Sequence, residues 1–295
     1  MIQAICPASC GELIQGYIQG GEKLISYGIN LFSKVSIMEM AEKDIRNSRY
    51  RYKKAYRMLD EVFRYYGYNR QDYDEIGLKI DSQISIAKGM ASSTADLVAT
   101  AVAIAKYLGK EPSEEEISKL CIKIEPTDSI VFSDITLFDH LKGNFIKRYG
   151  QLPACKVLIL EGRQSINTID FRKTDRSEIL KDNEKNLEKA LGYFEKGIKN
   201  QDIREIGRAS TISAFANQKI LHKIGLEDIY QTSDKLGAYG INVAHSGSVI
   251  GILYNDIEFD KEKFLFEMKK KEYKENYISF SSYDIISGGG KIIKS

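Results

Sequence analysis

The chain has 295 residues, and its 43 Lys and Arg residues against 41 Asp and Glu residues give a formal net charge of +2. This balance implies no partner selected by bulk charge, and 43% hydrophobic with 28% charged residues excludes a disordered chain. The length favours two domains.

The first half combines strand and helix patterns. Leu24–Met40 is β-rich, and a helix is predicted over Tyr50–Tyr66 because apolar residues recur at spacings of three and four. A strand pattern follows at Gly77–Ile86. The small and branched residues of Ser92–Leu108 are typical of a buried helix, which Gly109 ends.

A capped helix and a loop come next. Ser113, with Glu116 three residues later, fits a capping box at a helix start. The helix should stop before Pro126, because the residue before a proline disfavours the helical conformation. This places Glu125 to Ser129 in a loop.

A turn-like break at Tyr149–Pro153 separates strand patterns at Asn144–Arg148 and Lys156–Leu160. We therefore expect one domain over residues 1–150 and a second over residues 151–295. The second half has helical patterns at Glu178–Asn200, Asp202–Asn217, Glu227–Tyr239 and Lys261–Lys271, and strand patterns at Ile241–His245, Ser248–Tyr254 and Tyr277–Ser282. This mixture predicts an α+β fold.

Cysteines and histidines are few and scattered. The four cysteines form no CxxC pair, and only His140, His222 and His245 could join them, so a zinc site is not expected. No apolar run reaches the length of a membrane span, and the N-terminus lacks a signal-peptide pattern. We expect a cytoplasmic protein with reduced thiols and no membrane partner.

The segment Ser85–Asp96 carries the strongest chemical signal, since a strand pattern runs through small residues into a helix. The first N–H groups of a helix lack intrahelical partners and carry partial positive charge, so such a junction binds anions. Ser92, Ser93 and Thr94 add hydroxyls that could hold a phosphate or Mg²⁺, and Lys88 could supply a point charge. The two serines could instead simply cap a core helix.

Two familiar nucleotide loops do not fit the sequence. The run Gly288-Gly289-Gly290-Lys291 lacks the earlier glycine of a Walker loop, and no G-x-G-x-x-G follows a strand pattern. The sequence therefore predicts neither a Walker-type nucleotidase nor a dinucleotide-binding protein.

Three segments, in order, resemble the motifs of the GHMP small-molecule kinases. Pro7–Gly16 resembles the first motif, and residues 235–248 resemble the third. Lys88–Ala95 is similar to the phosphate loop P-x-x-x-G-L-G-S-S-A-A, with four replacements: Ser85 for proline, Met90 for leucine, Ala91 for a glycine and Thr94 for an alanine.

Within that superfamily the chain is similar to the L-threonine kinases of cobalamin biosynthesis. The similarity lies in the sequences of four segments: Pro-Ala-Ser-Cys-Gly-Glu-Leu-Ile-Gln-Gly, Lys-Gly-Met-Ala-Ser-Ser-Thr-Ala-Asp, Glu-Pro-Thr-Asp-Ser and Ala-His-Ser-Gly. The resemblance implies ATP- and Mg²⁺-dependent phosphorylation of L-threonine to O-phospho-L-threonine, a precursor of the cobalamin aminopropanol linker. It also implies a first domain like ribosomal protein S5 domain 2, a ferredoxin-like second domain, and an active site in the cleft between them.

The resemblance assigns ATP binding to the phosphate loop, by backbone N–H groups and by hydroxyls. The expected ATP-binding residues are Lys88, Gly89, Met90, Ala91, Ser92, Ser93 and Thr94, of which Ser93 would also coordinate Mg²⁺. Several relatives carry an activating lysine in the first motif, where this chain has Ser9. Lys88 is the candidate to replace it in catalysis.

Asp128 falls about where many superfamily members place a catalytic aspartate, so we expect it to act as the base. An aspartate in a loop after proline is also typical of a turn or a cap. Glu125 is the candidate for a second Mg²⁺ contact, although the glutamate spacing is shorter than in mevalonate kinase.

An amino-acid substrate is a zwitterion and needs one binding group of each sign. Glu12 is the candidate for its ammonium, and Arg163 or Arg172 for its carboxylate. His245-Ser246-Gly247 would close on the phosphates or the substrate, or form a plain β-turn. The expected substrate-binding residues are Ser9, Glu12, His245, Ser246 and Gly247.

A basic, tyrosine-rich run at Arg46–Arg57 invites a nucleic-acid interpretation. Its tyrosines fall on the apolar side of the predicted helix and its basic residues largely opposite, so we favour a solvated helix face and no nucleic-acid partner.

Two alternatives to the threonine kinase stay open. One is a kinase of homoserine, serine or another amino alcohol, and the other is a non-catalytic sensor that keeps the GHMP fold. The expected partners are ATP and a small-molecule substrate. The oligomeric state is left open, with a homodimer as one option.

Overall fold

The computed structural model describes residues 1–166 and 173–294, and these residues form a ten-stranded, antiparallel sheet with helices packed against it. The strands are β1 (Ile2–Ile18), β2 (Gly21–Glu39), β3 (Ile76–Ser82), β4 (Thr136–Asp139), β5 (Asn144–Arg148), β6 (Lys156–Gly162), β7 (Gly240–Val243), β8 (Ile250–Tyr254), β9 (Tyr277–Ile286) and β10 (Lys291–Lys294). Their order is β10-β1-β7-β8-β6-β9-β2-β4-β5, with β3 on β2 and β1 also paired with β2.

The helices of the described residues cover both halves of the chain. They are α1 (Glu42–Arg51), α2 (Lys53–Tyr65), α3 (Ser92–Tyr107), α4 (Glu114–Ile122), α5 (Ser177–Asp182), α6 (Glu184–Asn200), α7 (Ile203–Asn217), α8 (Leu226–Lys235) and α9 (Lys261–Lys269). This mixture with an antiparallel sheet confirms the α+β class.

Helix α3 is the central packing element of the first half. Its small side chains, such as Ala95, Ala99 and Ala103, are fully buried and allow close approach to β1 and β2. Helix α4 begins at the predicted capping box, in which Ser113 accepts a hydrogen bond from the N–H of Glu116. Both helices are confirmed by the structure.

Some predicted boundaries are wrong. The helix predicted over Tyr50–Tyr66 is two helices that meet at Tyr52, whose φ of −112° and ψ of 50° break the helical path. Asn183 similarly separates α5 from α6 within the predicted Glu178–Asn200 helix. The strand predicted to reach Ile86 ends at Ser82, and β9 runs four residues beyond the predicted Ser282.

The strand β1 was not predicted as an element, yet it joins the parts of the sheet. It pairs with β2, β7 and β10, and its register on β2 shifts between Ser9 and Glu12. At this irregularity the N–H of Gly11 faces the phosphate loop rather than a strand. The bulge therefore provides backbone donors that hold the loop.

The C-terminal glycine run serves packing. A Cβ at Gly290 would lie 2.7 Å from Cγ2 of Val102, and one at Gly288 would clash with the carbonyl of Phe132. The glycines let the chain cross α3 closely before β10.

Within the described residues no helix has the length and apolarity to cross a membrane. All four cysteines are free thiols.

Candidate active site

The phosphate loop holds a left-handed backbone just before α3. Ala87, Gly89 and Ala91 have φ values of +61°, +86° and +54°. Ala91 is the N-cap of α3, and no side chain caps the helix. The structure therefore does not support the alternative in which Ser92 and Ser93 only cap the helix. The first N–H groups of α3 remain available for an anion.

The three segments singled out from the sequence meet at this loop. From the first segment, the N–H groups of Ser9 and Gly11 donate to the carbonyls of Met90 and Gly89, each at 3.1 Å. From the third, Ser248 donates its N–H to the carbonyl of Lys88 at 2.9 Å. Two segments more than 200 residues apart in sequence thus fix one short loop.

Two glycines permit this close approach. A Cβ at Gly89 would clash with the Cβ of Ala244, and a Cβ at Gly247 would clash with the carbonyl of Lys88. Gly247 was expected to bind substrate, but it packs against the loop backbone and does not line the cleft described next.

A cleft with a cavity volume of about 120 Å³ opens beside the loop. Two sets of residues line it. The first is the loop with the start of α3 and the segment after α4: Ala87, Gly89, Met90, Ala91, Ser92, Ser93, Thr94, Glu125, Pro126, Thr127 and Asp128. The second comes from distant segments: Glu12, Leu24, His140, His245 and Ser246. Most of the predicted site residues are brought together here.

Asp128 is both a cap and a wall of the cleft. Its Oδ1 accepts from the N–H of Ile130 at 2.9 Å, which caps a short 3₁₀ turn, and its own N–H donates to Oγ1 of Thr94 at 3.1 Å. Burial raises the pKa of the Asp128 carboxyl to about 6, although the Ile130 N–H and the hydroxyls of Ser26 and Ser9 oppose the rise. The carboxyl group is therefore ionised at neutral pH, and its pKa is close to the value that suits a general base.

Ser9 is fully buried and does not line the cleft. It was expected to bind substrate. Instead its hydroxyl lies beside Asp128 and favours the ionised carboxylate.

Ser93 and Glu125 form one polar cluster at the start of α3. The Ser93 hydroxyl donates to Oε1 of Glu125, and the Nζ of Lys54 reaches Ser93 Oγ at 3.0 Å and Glu125 Oε2 at 2.6 Å. Lys54 belongs to α2 and to the run interpreted above as a solvated face. The sequence interpretation missed it because only tertiary packing brings α2 beside α3.

The structure does not support the expected role of Lys88. Its ammonium is buried and donates to the carbonyls of Gly162, Arg163 and Gln164 at 2.8, 3.0 and 3.1 Å. These three bonds use all the donors of the side chain. Lys88 is outside the residues that line the cleft, so it anchors the loop to the end of β6.

The other end of the cleft is built from side chains of distant segments. Oε2 of Glu12 accepts from the N–H of His245 at 2.7 Å, so Glu12 holds the 245–247 turn as well as facing the cleft. The rings of His140 and His245 lie 5.6 Å apart, and ligand atoms of Glu22, His140 and His245 all lie within 4.8 Å of one another. No local pattern marks Glu22 or His140, so the sequence interpretation missed both.

Arg163, one of the two arginines expected at the substrate carboxylate, is not brought to this cleft. The Nε of Arg163 donates to the carbonyl of Glu275 at 2.9 Å, and Arg163 lines a separate pocket. Arg172 lies outside the described residues.

Known proteins are similar to this chain in sequence and in fold. Residues 53–135 match the family model for the GHMP kinases N terminal domain. The chain is 35% identical over 289 residues to the L-threonine kinase of Salmonella typhimurium, covering 98% of this chain and 95% of the relative. It is 36% identical over 276 residues to the L-threonine kinase of Citrobacter freundii, covering 92% and 93%.

A solved structure extends the likeness to the fold. A mevalonate kinase crystal structure matches with a TM-score of 0.69 at 18% identity, covering 98% of this chain and all of that chain. The two L-threonine kinase relatives and the GHMP kinase family model show that the chain is an ATP-dependent kinase that acts on an alcohol group. The chain belongs to the L-threonine kinase family of the GHMP kinases.

Proposed function

We propose that the protein transfers the γ-phosphoryl group of ATP to the side-chain hydroxyl of L-threonine. The observation that carries this proposal is the Asp128 carboxylate, which faces the same cleft as an uncapped helix start in the phosphate loop. The L-threonine kinases to which the chain is 35–36% identical support the choice of acceptor.

The cleft offers a proton acceptor for the phosphoryl transfer. The threonine oxygen forms a bond to the γ-phosphorus, the bond from that phosphorus to the oxygen of ADP breaks, and the hydroxyl proton passes to Asp128. An ionised Asp128, with a pKa of about 6, is ready to accept it at neutral pH. Release of this proton to solvent restores the enzyme.

Ser93 and Glu125 fit a magnesium ion. A hydroxyl and a carboxylate are oxygen ligands of the kind Mg²⁺ prefers, and the Lys54 ammonium that bridges them is a cation already held by this pair. When bound there, Mg²⁺ would neutralise charge on the triphosphate. The backbone N–H groups of residues 89–93 would position the same phosphates.

The zwitterionic ends of threonine would lie among Glu22, His140 and His245. A carboxylate and two imidazoles offer an acceptor for an ammonium and donors for a carboxylate, and their ligand atoms lie within 4.8 Å of one another. Two of the three line the cleft that holds Asp128. In this assignment the histidines take the role expected of Arg163, and the role of Arg172 stays a prediction.

We also propose three further properties of the protein. The chain divides near residue 150 into a domain like ribosomal protein S5 domain 2 and a ferredoxin-like domain. The phosphorylated product supplies the cobalamin aminopropanol linker. The turn-like break at Tyr149–Pro153 supports the position of the division. The resemblance of the motif segments supports the two domain types and the destination of the product, and the third proposal, a cytoplasmic location, rests on the composition.

The test compares kcat/KM for L-threonine, L-serine and L-homoserine at fixed ATP and Mg²⁺, with product mass as confirmation. Serine lacks one methyl group and should react about 10–200-fold less efficiently. Homoserine also lacks this methyl group and in addition moves its hydroxyl one carbon away. A misplacement of about 1 Å costs on the order of 10²-fold more, so homoserine should be poorer than serine. Homoserine outrunning threonine would favour a homoserine kinase, and no turnover with any acceptor would favour the sensor.

A further inference from the structure

The described residues that line the cleft carry an excess of negative charge, which opposes the binding of a triphosphate. Three carboxylates, those of Glu12, Glu125 and Asp128, line it, and no lysine or arginine is among its described lining residues. The triphosphate of ATP brings several more negative charges. A Mg²⁺ ion at Ser93 and Glu125 would add two positive charges, and the α3 N-terminus adds about half of one. Together these are fewer than the negative charges of the three carboxylates and the triphosphate.

Lys54 is positioned to supply the missing positive charge. Its ammonium lies 3.0 Å from Ser93 Oγ and 2.6 Å from Glu125 Oε2, so it contacts two side chains of the cleft wall. Its side chain is 48% exposed, while that of Glu125 is 17% exposed. An ion pair this accessible contributes little to stability, and the lysine is free to exchange one partner for another.

The lysine of the phosphate loop cannot take this role. Lys88 directs its three donors to the carbonyls of residues 162–164, which lie outside the cleft lining. Moving it to a phosphate would leave three carbonyls without their buried donor. Ser9, which lies next to the loop in the first motif segment, is fully buried and carries no charge.

We propose that Lys54 contacts the γ-phosphate of bound ATP and stabilises the charge on the transferring phosphoryl group. This inference rests on the proposed function, because it assumes that the triphosphate lies at the start of α3. A phosphate oxygen that accepts from Ser93 would lie within about 3 Å of its hydroxyl, and hence within about 6 Å of the present ammonium position. Rotation within the four-carbon stem of lysine spans that gap.

The test is calorimetric titration of the full-length protein with ATP and with ADP, each with Mg²⁺ and without threonine. Lys54→Met should weaken ATP binding by about tenfold or more and change ADP binding less than threefold, because only ATP has the γ-phosphate. Lys53→Met is the matched control, since Lys53 is the preceding residue of α2 and packs over the ring of Tyr50. It should bind both nucleotides as the unaltered protein does.

Kinetics add a second readout. Lys54→Met should lower kcat by about 10²-fold, the effect of removing one group that stabilises transition-state charge, and leave KM for threonine nearly unchanged. Lys54→Arg should recover part of kcat because it restores the charge. The melting temperature of each variant should stay close to that of the unaltered protein.

Two results would overturn the inference. Equal weakening of ATP and ADP by Lys54→Met, or no weakening of either, would show that Lys54 does not contact the γ-phosphate. If the unaltered protein bound neither nucleotide, the proposed function would fail as well. Binding of both by the unaltered protein, with equal loss in the variant, would reject only the role of Lys54.

Discussion

The two ends of the cleft differ in how they are built. The phosphate-binding end is a contiguous stretch, residues 89–94, and its proposed contacts are mainly backbone N–H groups. The proposed acceptor end combines the cleft residues Glu12, His140 and His245 with the neighbouring Glu22, and its proposed contacts are made by side chains. These residues come from three parts of the chain, each more than 100 residues from the next. Phosphate binding should therefore depend on backbone geometry, and acceptor binding on side-chain chemistry.

The largest expected effect concerns Asp128, where the two ends meet. Asp128→Asn keeps the size and the cap but removes the proton acceptor, so kcat should fall about 10²–10⁴-fold while ATP affinity stays nearly intact. In the unaltered enzyme kcat/KM should rise with pH through about 6 and then level, because the carboxylate must be ionised to accept a proton. The variant should lack this rise.

Steady-state rates between pH 5 and pH 8 and nucleotide titration check both statements. Retained turnover in Asp128→Asn would assign Asp128 a purely structural role as a cap. Direct proton transfer to the phosphoryl group would then be the better description.

Gly89→Ala should damage the phosphate end alone. The new Cβ would clash with Ala244, and φ at this position is +86°, so the loop must distort. We expect ATP binding to weaken by about 10²-fold, with a loss of stability of about 1–3 kcal/mol. Calorimetric titration and thermal unfolding measure the two quantities.

Ala91→Gly is the matched control in the same loop. Ala91 has a φ of +54°, where glycine is favoured, so this change should keep ATP binding and alter stability by no more than about 1 kcal/mol. If both loop variants bound ATP normally, the backbone geometry of the loop would not be what determines phosphate binding.

The smallest expected effect is a pH-dependent gain in stability for Asp128→Asn. The folded-state pKa of Asp128 is about 6, above its ordinary value of 3.8, so the folded state holds this proton more tightly than the unfolded state. The protonated Asp128 therefore stabilises the folded state below about pH 4. This contribution to the free energy of unfolding is lost as the pH rises through 6. Asparagine stays neutral and suffers no such loss.

The difference in melting temperature between Asp128→Asn and the unaltered protein should therefore grow between pH 4 and pH 7, in favour of the variant. A shift of two pKa units corresponds to about 3 kcal/mol, and the opening of Asp128 onto the cleft reduces this to about 1–2 kcal/mol. Asp96, whose pKa burial also raises to about 6, is present in both proteins and cancels. A constant difference across this range would contradict the buried-carboxylate interpretation.

Prediction from sequence succeeded where the cause was local. The capping box at Ser113, the α3 helix and its glycine-containing entry depend on residues within a few positions of one another. The strand β1 was missed because its polar and glycine-rich segment Pro7–Gly16 lacks the alternation of a half-buried strand. Its pairing with three other strands supplies the missing stabilisation.

The two lysines show why the candidate site was predicted only in part. Lys88 lies in the phosphate loop by sequence, yet its long side chain extends to the end of β6. Lys54 lies in a basic run that was predicted to be a solvated helix face, yet helix packing brings it to Ser93 and Glu125. Sequence spacing fixes the Cα position of a residue along an element but not the direction of a flexible side chain.

The most direct test is a structure of the protein with Mg²⁺, a non-hydrolysable ATP analogue and L-threonine. We predict the triphosphate on residues 89–93, with the threonine hydroxyl in hydrogen-bond contact with Asp128 and the charged ends of threonine among Glu22, His140 and His245. Threonine bound instead in the separate pocket lined by Gly162, His222 and Lys223, away from Asp128, would contradict this account of the active site.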